Sequence, residues 1–417
     1  MPRHHASFLR LTVVASIIGA SCTNSTEPKG PPTAITGLPR SLTDAEVKTI
    51  ESANAFTFAL FRKVSDDSPV SNIFISPLSA SLALGMALNG ARGSTFDGMR
   101  TALQFGTATQ GDINTSVQSL IALLRSIDPT VELDIANSIW YRNTVPLLPA
   151  FTGAAKTYFD ASAAGLDFTN VPASLAIVNG WVSDKTRGKI PSIVDDIKQD
   201  DIAFLINAIY FKGKWRAQFD PAKTIISNFA TVSGTVQHVP LMAQSEELRY
   251  GQSGGAQLVD LPYGNSAYTM TVVLPPSGTS IEQYASNLTP AVWASMTSTM
   301  STSLVNLTMP KLRLNYTRGM NDDLSALGMG VAFDWANADF SGMSTMRGLY
   351  LSYVKQKTYV DIDEEGTEAA AVTVVGVRTT SAQVSVTMRV DRPYLIVIRE
   401  RFSGAIVFIG KVNVIPS

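Results

Sequence analysis

Histidine limits the chemistry open to this chain. There are three, and His4 and His5 fall within the first ten residues, so a mature form lacking that segment keeps only His238. A Ser-His-Asp triad would have to be built on His238, which sits in Gln237-His238-Val239-Pro240 with no partner evident from spacing, and a His-rich metal site is excluded. Cys22 is the only cysteine, which removes an intramolecular disulfide, a CxxC pair and a thiolate cluster. Two spacings imitate ligand loops. Asp361-Ile-Asp363-Glu364-Glu365-Gly366 copies the opening of a calcium loop, but its twelfth place is Val372, where a bidentate Glu must close the cage. Gly90-Ala-Arg-Gly93-Ser-Thr95 has phosphate-loop glycines but no Lys before the hydroxyl pair, and it follows a helix pattern. It reads as a helix C-terminal glycine and its turn. Trp140, Trp181, Trp215, Trp293 and Trp335 are scattered, as core residues are. These residue types give the expectation of no metal, no cofactor and a chain that is not an enzyme.

The positive signal is in residues 364–380, EEGTEAAAVTVVGVRTT. Exposed loops favour polar turn formers, and this stretch is mostly Ala, Val and Thr. Divided by parity, Thr367, Ala369, Ala371, Thr373, Val375, Val377 and Thr379 form one set, without charge. Glu368 and Arg378 both fall in the other set. That is a strand with one face ready for burial, roughly 45 Å long at ~3.3 Å per residue. It could be a permanent half-buried strand. Against that reading, Gly366 offers a backbone hinge at its entry.

The elements around this segment form an α+β pattern in one large domain. Hydrophobic residues make up 45% and charged residues 16%, enough for a large core. Lys and Arg number 33 against 34 Asp and Glu, so no bulk positive charge points to nucleic acid or to a polyanion cofactor. Helical periodicity runs from Glu46 to Val64, and Ser76-Pro77 opens a second helix that stops near Gly90. Strand-like runs follow at Val131–Arg142, Ala203–Phe211, Tyr268–Leu274, Leu304–Tyr316, Val384–Val390, Tyr394–Ile398 and Ala405–Ile409. No apolar run reaches the ~18–20 residues of a spanning helix. Residues 1–21 read as an export signal: Arg3 and Arg10, then a short apolar stretch, then Gly19-Ala20-Ser21. With Cys22 they resemble the lipoprotein box of bacteria, in which the Cys is lipidated, although Gly19 stands where that box usually has Leu. The expected location is an envelope lipoprotein at the outer membrane or cell surface, or else a secreted protein. Residues 22–43, rich in Pro, Gly, Ser and Thr, read as a tether, and the folded domain is expected over 44–417. Ser41-Leu-Thr-Asp-Ala-Glu46 reads as its first helix start.

Glu364-Glu-Gly-Thr-Glu-Ala-Ala-Ala371 resembles, nearly letter for letter, the hinge of inhibitory serpins. The resemblance extends over about residues 44–417. Asn72-Ile-Phe-Ile-Ser-Pro-Leu-Ser79, Asn179-Gly-Trp-Val-Ser-Asp-Lys-Thr-Arg-Gly-Lys-Ile190, Asn207-Ala-Ile-Tyr-Phe-Lys-Gly-Lys-Trp215, Pro393-Tyr-Leu and Gly404-Ala-Ile-Val-Phe-Ile-Gly-Lys-Val412 carry it too. The resemblance implies three sheets, eight or nine helices and a bait loop within about 364–390. It implies a metastable monomer that traps serine proteases, or alternatively cysteine proteases, by suicide inhibition. The cleaved loop then enters the central sheet as a new strand.

Position by position, the resemblance places the reactive bond at Thr380–Ser381, which suits an elastase-like protease with a small primary pocket. The alternative is Arg378, which suits trypsin-like enzymes. The hinge is Glu364, Glu365, Gly366, Thr367, Glu368, Ala369, Ala370 and Ala371, supported by Lys311, as partner of Glu364, and by Trp215. Ser76, Ser79 and Asn207 match the cluster where the sheet parts. Gln356 stands where the family usually has His, so this site lacks an ionisable group near neutral pH. Val372 replaces a usual Ala and Tyr394 a usual Phe. A non-inhibitory member, serving as a binding or chaperone-like module, is the alternative function.

Overall fold

The computed structural model describes residues 1, 33–198, 201–367 and 385–416. Its helices are α1 (Asp44–Asp67), α2 (Pro77–Leu88), α3 (Gly93–Ala102), α4 (Gln110–Ser126), α5 (Pro149–Phe159), α6 (Val171–Lys185), α7 (Ile281–Ser286), α8 (Pro290–Ser298) and α9 (Asn321–Leu324). The strands are β1 (Ile73–Ile75), β2 (Val131–Arg142), β3 (Ala161–Leu166), β4 (Ala203–Lys214), β5 (Ile225–Ala230), β6 (Val236–Ser253), β7 (Ala256–Pro262) and β8 (Tyr268–Leu274). They continue with β9 (Ser301–Pro310), β10 (Leu312–Gly319), β11 (Val354–Ile362), β12 (Gly366–Thr367), β13 (Ser385–Arg389), β14 (Tyr394–Glu400) and β15 (Ile406–Val412). None of the described helices is long and apolar enough to cross a membrane.

Local chemistry sets the main boundaries. Thr43, two residues after the expected Ser41, caps α1 in a capping box with Glu46. Ser76 caps α2, with Pro77 in the first turn. Every residue of α2 is buried, so it runs through the core instead of lying on it.

Six strands form one mixed sheet in the order β10-β11-β12-β4-β2-β3, and nine form the other. The three expected sheets therefore appear as two hydrogen-bonded systems. The larger has two lobes that share the long β6: β5 pairs with its residues 236–241, β9 with 241–250 and β7 with 250–253. A large apolar cluster fills the space against α1, α2 and α4. A second cluster, with Trp140, Phe168, Val178, Val182 and Phe204, covers the other face of β2 and β4 under α6. Residues 135–140 of β2 and 203–211 of β4 are buried on both faces, which is why burial does not alternate there.

Two expectations need correction. The run Leu304–Tyr316 is not one strand. It divides at Lys311 into β9, in the larger sheet, and β10, in the smaller. Pro310 ends the first ladder because it has no N–H to donate, while apolar alternation continues on both sides and hides the break. The tether is also shorter than residues 22–43, because the compact body begins at Ala34. Ile35, Leu38 and Leu42 pack against the core, and Ile35 donates its N–H to the Asn265 carbonyl at 2.6 Å. The apolar residues of a Pro- and Gly-containing stretch are enough to dock it. Residues 2–32, with Cys22, lie outside the described residues.

Arg40 closes this docked stretch with a two-toothed bond to Glu46, and Ser119 donates a third bond to the same carboxylate. The Arg40 hydrogen bond outweighs the effect of burial and lowers the Glu46 carboxyl from 4.5 to about 2. A carboxyl depressed in the folded state adds stability above its unfolded value, and that stability is lost as pH falls through the folded value. Urea midpoints of the full chain are expected to fall between pH 4.5 and 2. In R40M the carboxyl is less depressed, so this fall is smaller and ends at higher pH. Identical acid profiles for the two proteins would contradict this ion pair.

Candidate functional site

The centre of the six-stranded sheet contains a gap. β4 and β11 are parallel neighbours only at Val354–Leu205 and Lys355–Ile206. At the other end the short strand β12 wedges between them, antiparallel to both, with Thr367 opposite Gly213 and Ile362. Between these two points, residues 207–212 pair with β2 and residues 356–361 pair with β10, and among the described residues no ladder pairing joins the two stretches to each other. The gap is roughly 20 Å long at ~3.3 Å per residue.

The hinge sits at its head and is tied down by backbone and side chains. Glu364 pairs with Lys311 at 2.7 Å and accepts the Thr224 hydroxyl at 2.7 Å. Its carbonyl accepts the Phe219 N–H, and the Glu365 carbonyl accepts the Trp215 N–H. The Trp215 indole donates to the Asp363 carbonyl at 2.9 Å. Asp363 in turn accepts the N–H groups of Glu365 and Gly366, so the opening of the calcium-like spacing is a turn built around Asp363. Asp361 is held instead by Arg313 at 2.8 Å. No group of three or more His, Cys, Asp and Glu among the described residues is arranged to hold a metal. Gly366 is required sterically: a Cβ there would lie 2.2 Å from the Gly213 carbonyl oxygen.

Thr367 is 2% exposed, already inside the sheet, and its hydroxyl shares a 2.7 Å hydrogen bond with Tyr263. Tyr263 stacks on Trp215 with ring centroids 4.5 Å apart. Nothing in the sequence announced Tyr263. It stands 104 residues from Thr367, in a Pro-Tyr-Gly turn between β7 and β8 that reads as ordinary punctuation.

A polar cluster lies near the closed end of the gap. Gln356 clasps the Ser76 backbone from both sides, accepting its N–H at 2.9 Å and donating to its carbonyl at 2.8 Å. The Ser76 hydroxyl donates to the Val407 carbonyl at 2.6 Å and accepts the Ser79 N–H at 3.4 Å. Asn207 is held apart from this group: its amide donates to Asn137 at 2.7 Å across β2 and β4. The structure thus brings Ser76, Ser79 and Gln356 together on one edge and sets Asn207 on the other. The Ser79 hydroxyl and the Asn207 side-chain oxygen are buried without a protein partner. Asn137 is a further member that the motifs did not reveal. Tyr394 is fully buried beside Phe229, and its hydroxyl also lacks a protein partner. His238 pairs in β6 opposite Asn228 and is exposed. Glu368, Ala369, Ala370, Ala371, Val372, Arg378, Thr380 and Ser381 lie outside the described residues.

Burial raises the Glu364 carboxyl, but hydrogen bonds from Lys311 and Thr224 outweigh it and hold the group below its ordinary value. The pair therefore stabilises the hinge above the ordinary carboxylate range, about pH 4.3, and this is lost as pH falls. In K311M the Thr224 hydrogen bond is left to oppose burial without Lys311, so Glu364 takes up its proton at higher pH. The expected loss at pH 7 is about 1 kcal/mol, at the low end because Lys311 is partly exposed. Melting curves from pH 3 to 7 check this, and parallel wild-type and K311M profiles would refute it.

A family model described as serpin (serine protease inhibitor) matches residues 51–415. Human Serpin B8 is 33% identical over 368 residues, covering 87% of this chain and 98% of that protein. Human leukocyte elastase inhibitor is 31% identical over 378 residues, covering 88% and 99%. A crystal structure of human thyroxine-binding globulin is 29% identical, with a TM-score of 0.82, covering 89% of this chain and all of that one. These findings correct the expectation framed as "not an enzyme". The family match describes a protein defined by its part in a protease's reaction, so the scarcity of histidine is not what fixes its relation to catalysis. With nearly the whole folded body matched, and the hinge of that family found at the head of an open sheet, the chain belongs to the serpin family of protease inhibitors.

Proposed function

We propose that this serpin inhibits elastase-like serine proteases by a suicide mechanism. The protease attacks a bait bond at Thr380–Ser381, with Arg378 as the alternative contact residue, and is esterified. The freed loop then enters the gap between β4 and β11 before water completes hydrolysis. The observation that carries this reading is Thr367, already paired to both edges of the gap.

A strand continued in that register sets Ala369 opposite Phe211 and Val360, Ala371 opposite Ile209 and Thr358, and Thr373 opposite Asn207 and Gln356. Phe211, Val360, Ile209 and Thr358 are all buried, so the uncharged set is the set that meets the core face. The hydroxyl of Thr373 would arrive at the amides of Asn207 and Gln356, polar neighbours for a polar group. Insertion adds two ladders of backbone hydrogen bonds and buries the uncharged face, so the uncleaved form is held by a barrier and not by its depth in free energy. The similarity to leukocyte elastase inhibitor supports a small-pocket target. Export through residues 1–21, with a lipid on Cys22 or release by cleavage near Ala20, is part of the same proposal. The protein then meets its protease outside the cytoplasm.

The second reading, a non-inhibitory binding module, is favoured by the similarity to thyroxine-binding globulin. Mixing with pancreatic elastase separates the two. The inhibitor reading requires a complex that survives denaturing electrophoresis, and cleaved serpin alone would sink it. Mass spectrometry of the products locates the cut. T367R is expected to become a substrate, because an unpaired charge would have to enter the core at several kcal/mol. Complex formation undiminished in that variant contradicts the register above.

A further inference from the structure

Besides the Glu364–Lys311 pair and the bonds of Trp215 to Asp363 and Glu365, the hinge is fastened at Thr367, by Tyr263. Tyr263 is fully buried, edge-on to Phe211 at 4.9 Å and stacked on Trp215. Its ring leans over Gly213, where a Cβ would come within 2.9 Å of it. Gly213 is the residue paired with Thr367. Ring, glycine and hinge residue therefore interlock, and the aromatic contacts aim the hydroxyl at Thr367.

We propose that Tyr263 is a positioning residue whose hydroxyl latches Thr367 into the head of the gap before any protease arrives, setting the balance between bait presentation and loop insertion. This rests on the inhibitor reading. With the latch closed, the new strand grows from an existing paired end and needs no fresh nucleation. The same bond draws two residues of the loop's stem into the sheet, about 7 Å of chain, and so restrains the bait. Releasing it has two opposed consequences: faster association with the protease and poorer insertion after cleavage. A tyrosine that only filled the core would show neither, because Phe keeps the ring and every aromatic contact.

The test uses the full chain as wild type, Y263F, T367V, the double variant and T367S, which keeps a hydroxyl. Amide exchange over residues 363–367 in unreacted protein reads the latch directly. Y263F and T367V should each speed it roughly three- to tenfold, the range for one lost buried hydrogen bond. The double variant should be no faster than either single one, and T367S should match wild type. With pancreatic elastase, Y263F should associate faster and consume more inhibitor per protease, each by roughly threefold on the same basis. Wild-type exchange in Y263F overturns the latch whatever elastase does. Faster exchange with unchanged association and stoichiometry overturns its kinetic role. A wild type that forms no complex removes the inhibitor reading, while the exchange result still decides the latch.

Discussion

Backbone N–H and C=O groups that leave water must find partners, and a strand edge in the middle of a sheet is the hardest place to leave them without. β4 and β11 meet in ladder pairs only at Val354–Leu205 and Lys355–Ile206, and they part along residues 207–212 and 356–361. Each is otherwise well paired, β4 with the long β2 and β11 with β10. The two strands are joined at one end, wedged apart at the other, and backed by a continuous apolar core. In the proposed mechanism, the better arrangement for a sheet built this way is the one with a strand in the gap.

The rest of the molecule governs access to that arrangement. At the joined end, Gln356 grips the Ser76 backbone and Asn207 grips Asn137, so the two edges are each anchored to a different neighbour instead of to each other. Neither amide ionises, which makes this part of the gap indifferent to pH around neutrality. At the open end the ion pair at Glu364, the indole of Trp215 and the turn around Asp363 fix where the chain enters and in which register. The register matters because a slip of one residue would turn Glu368 and Arg378 toward the core in place of the uncharged set.

Much of the architecture is legible without coordinates. β2 and β8 fall where apolar runs place them, and the caps of α1 and α2 follow from Thr43 with Glu46 and from Ser76 with Pro77. The break at Lys311 is not legible, because a chain that passes from one sheet to another keeps its alternation across the crossing. Nor is the docking of residues 34–43, where three apolar side chains in a polar stretch find pockets formed by distant elements.

The sequence by itself determined the parity of the segment after Gly366, because charge, size and glycine placement are local properties that a period of two makes readable; the hinge and the pairing of Glu364 with Lys311 came from its resemblance to serpins. Only the tertiary structure decided that β4 and β11 stand apart, that Thr367 already lies between them, and that Tyr263, Gly213 and Asn137 belong to the site. Those facts depend on which strands become neighbours, and neighbours in a sheet are set by packing across a hundred or more residues of chain, where no local pattern reaches.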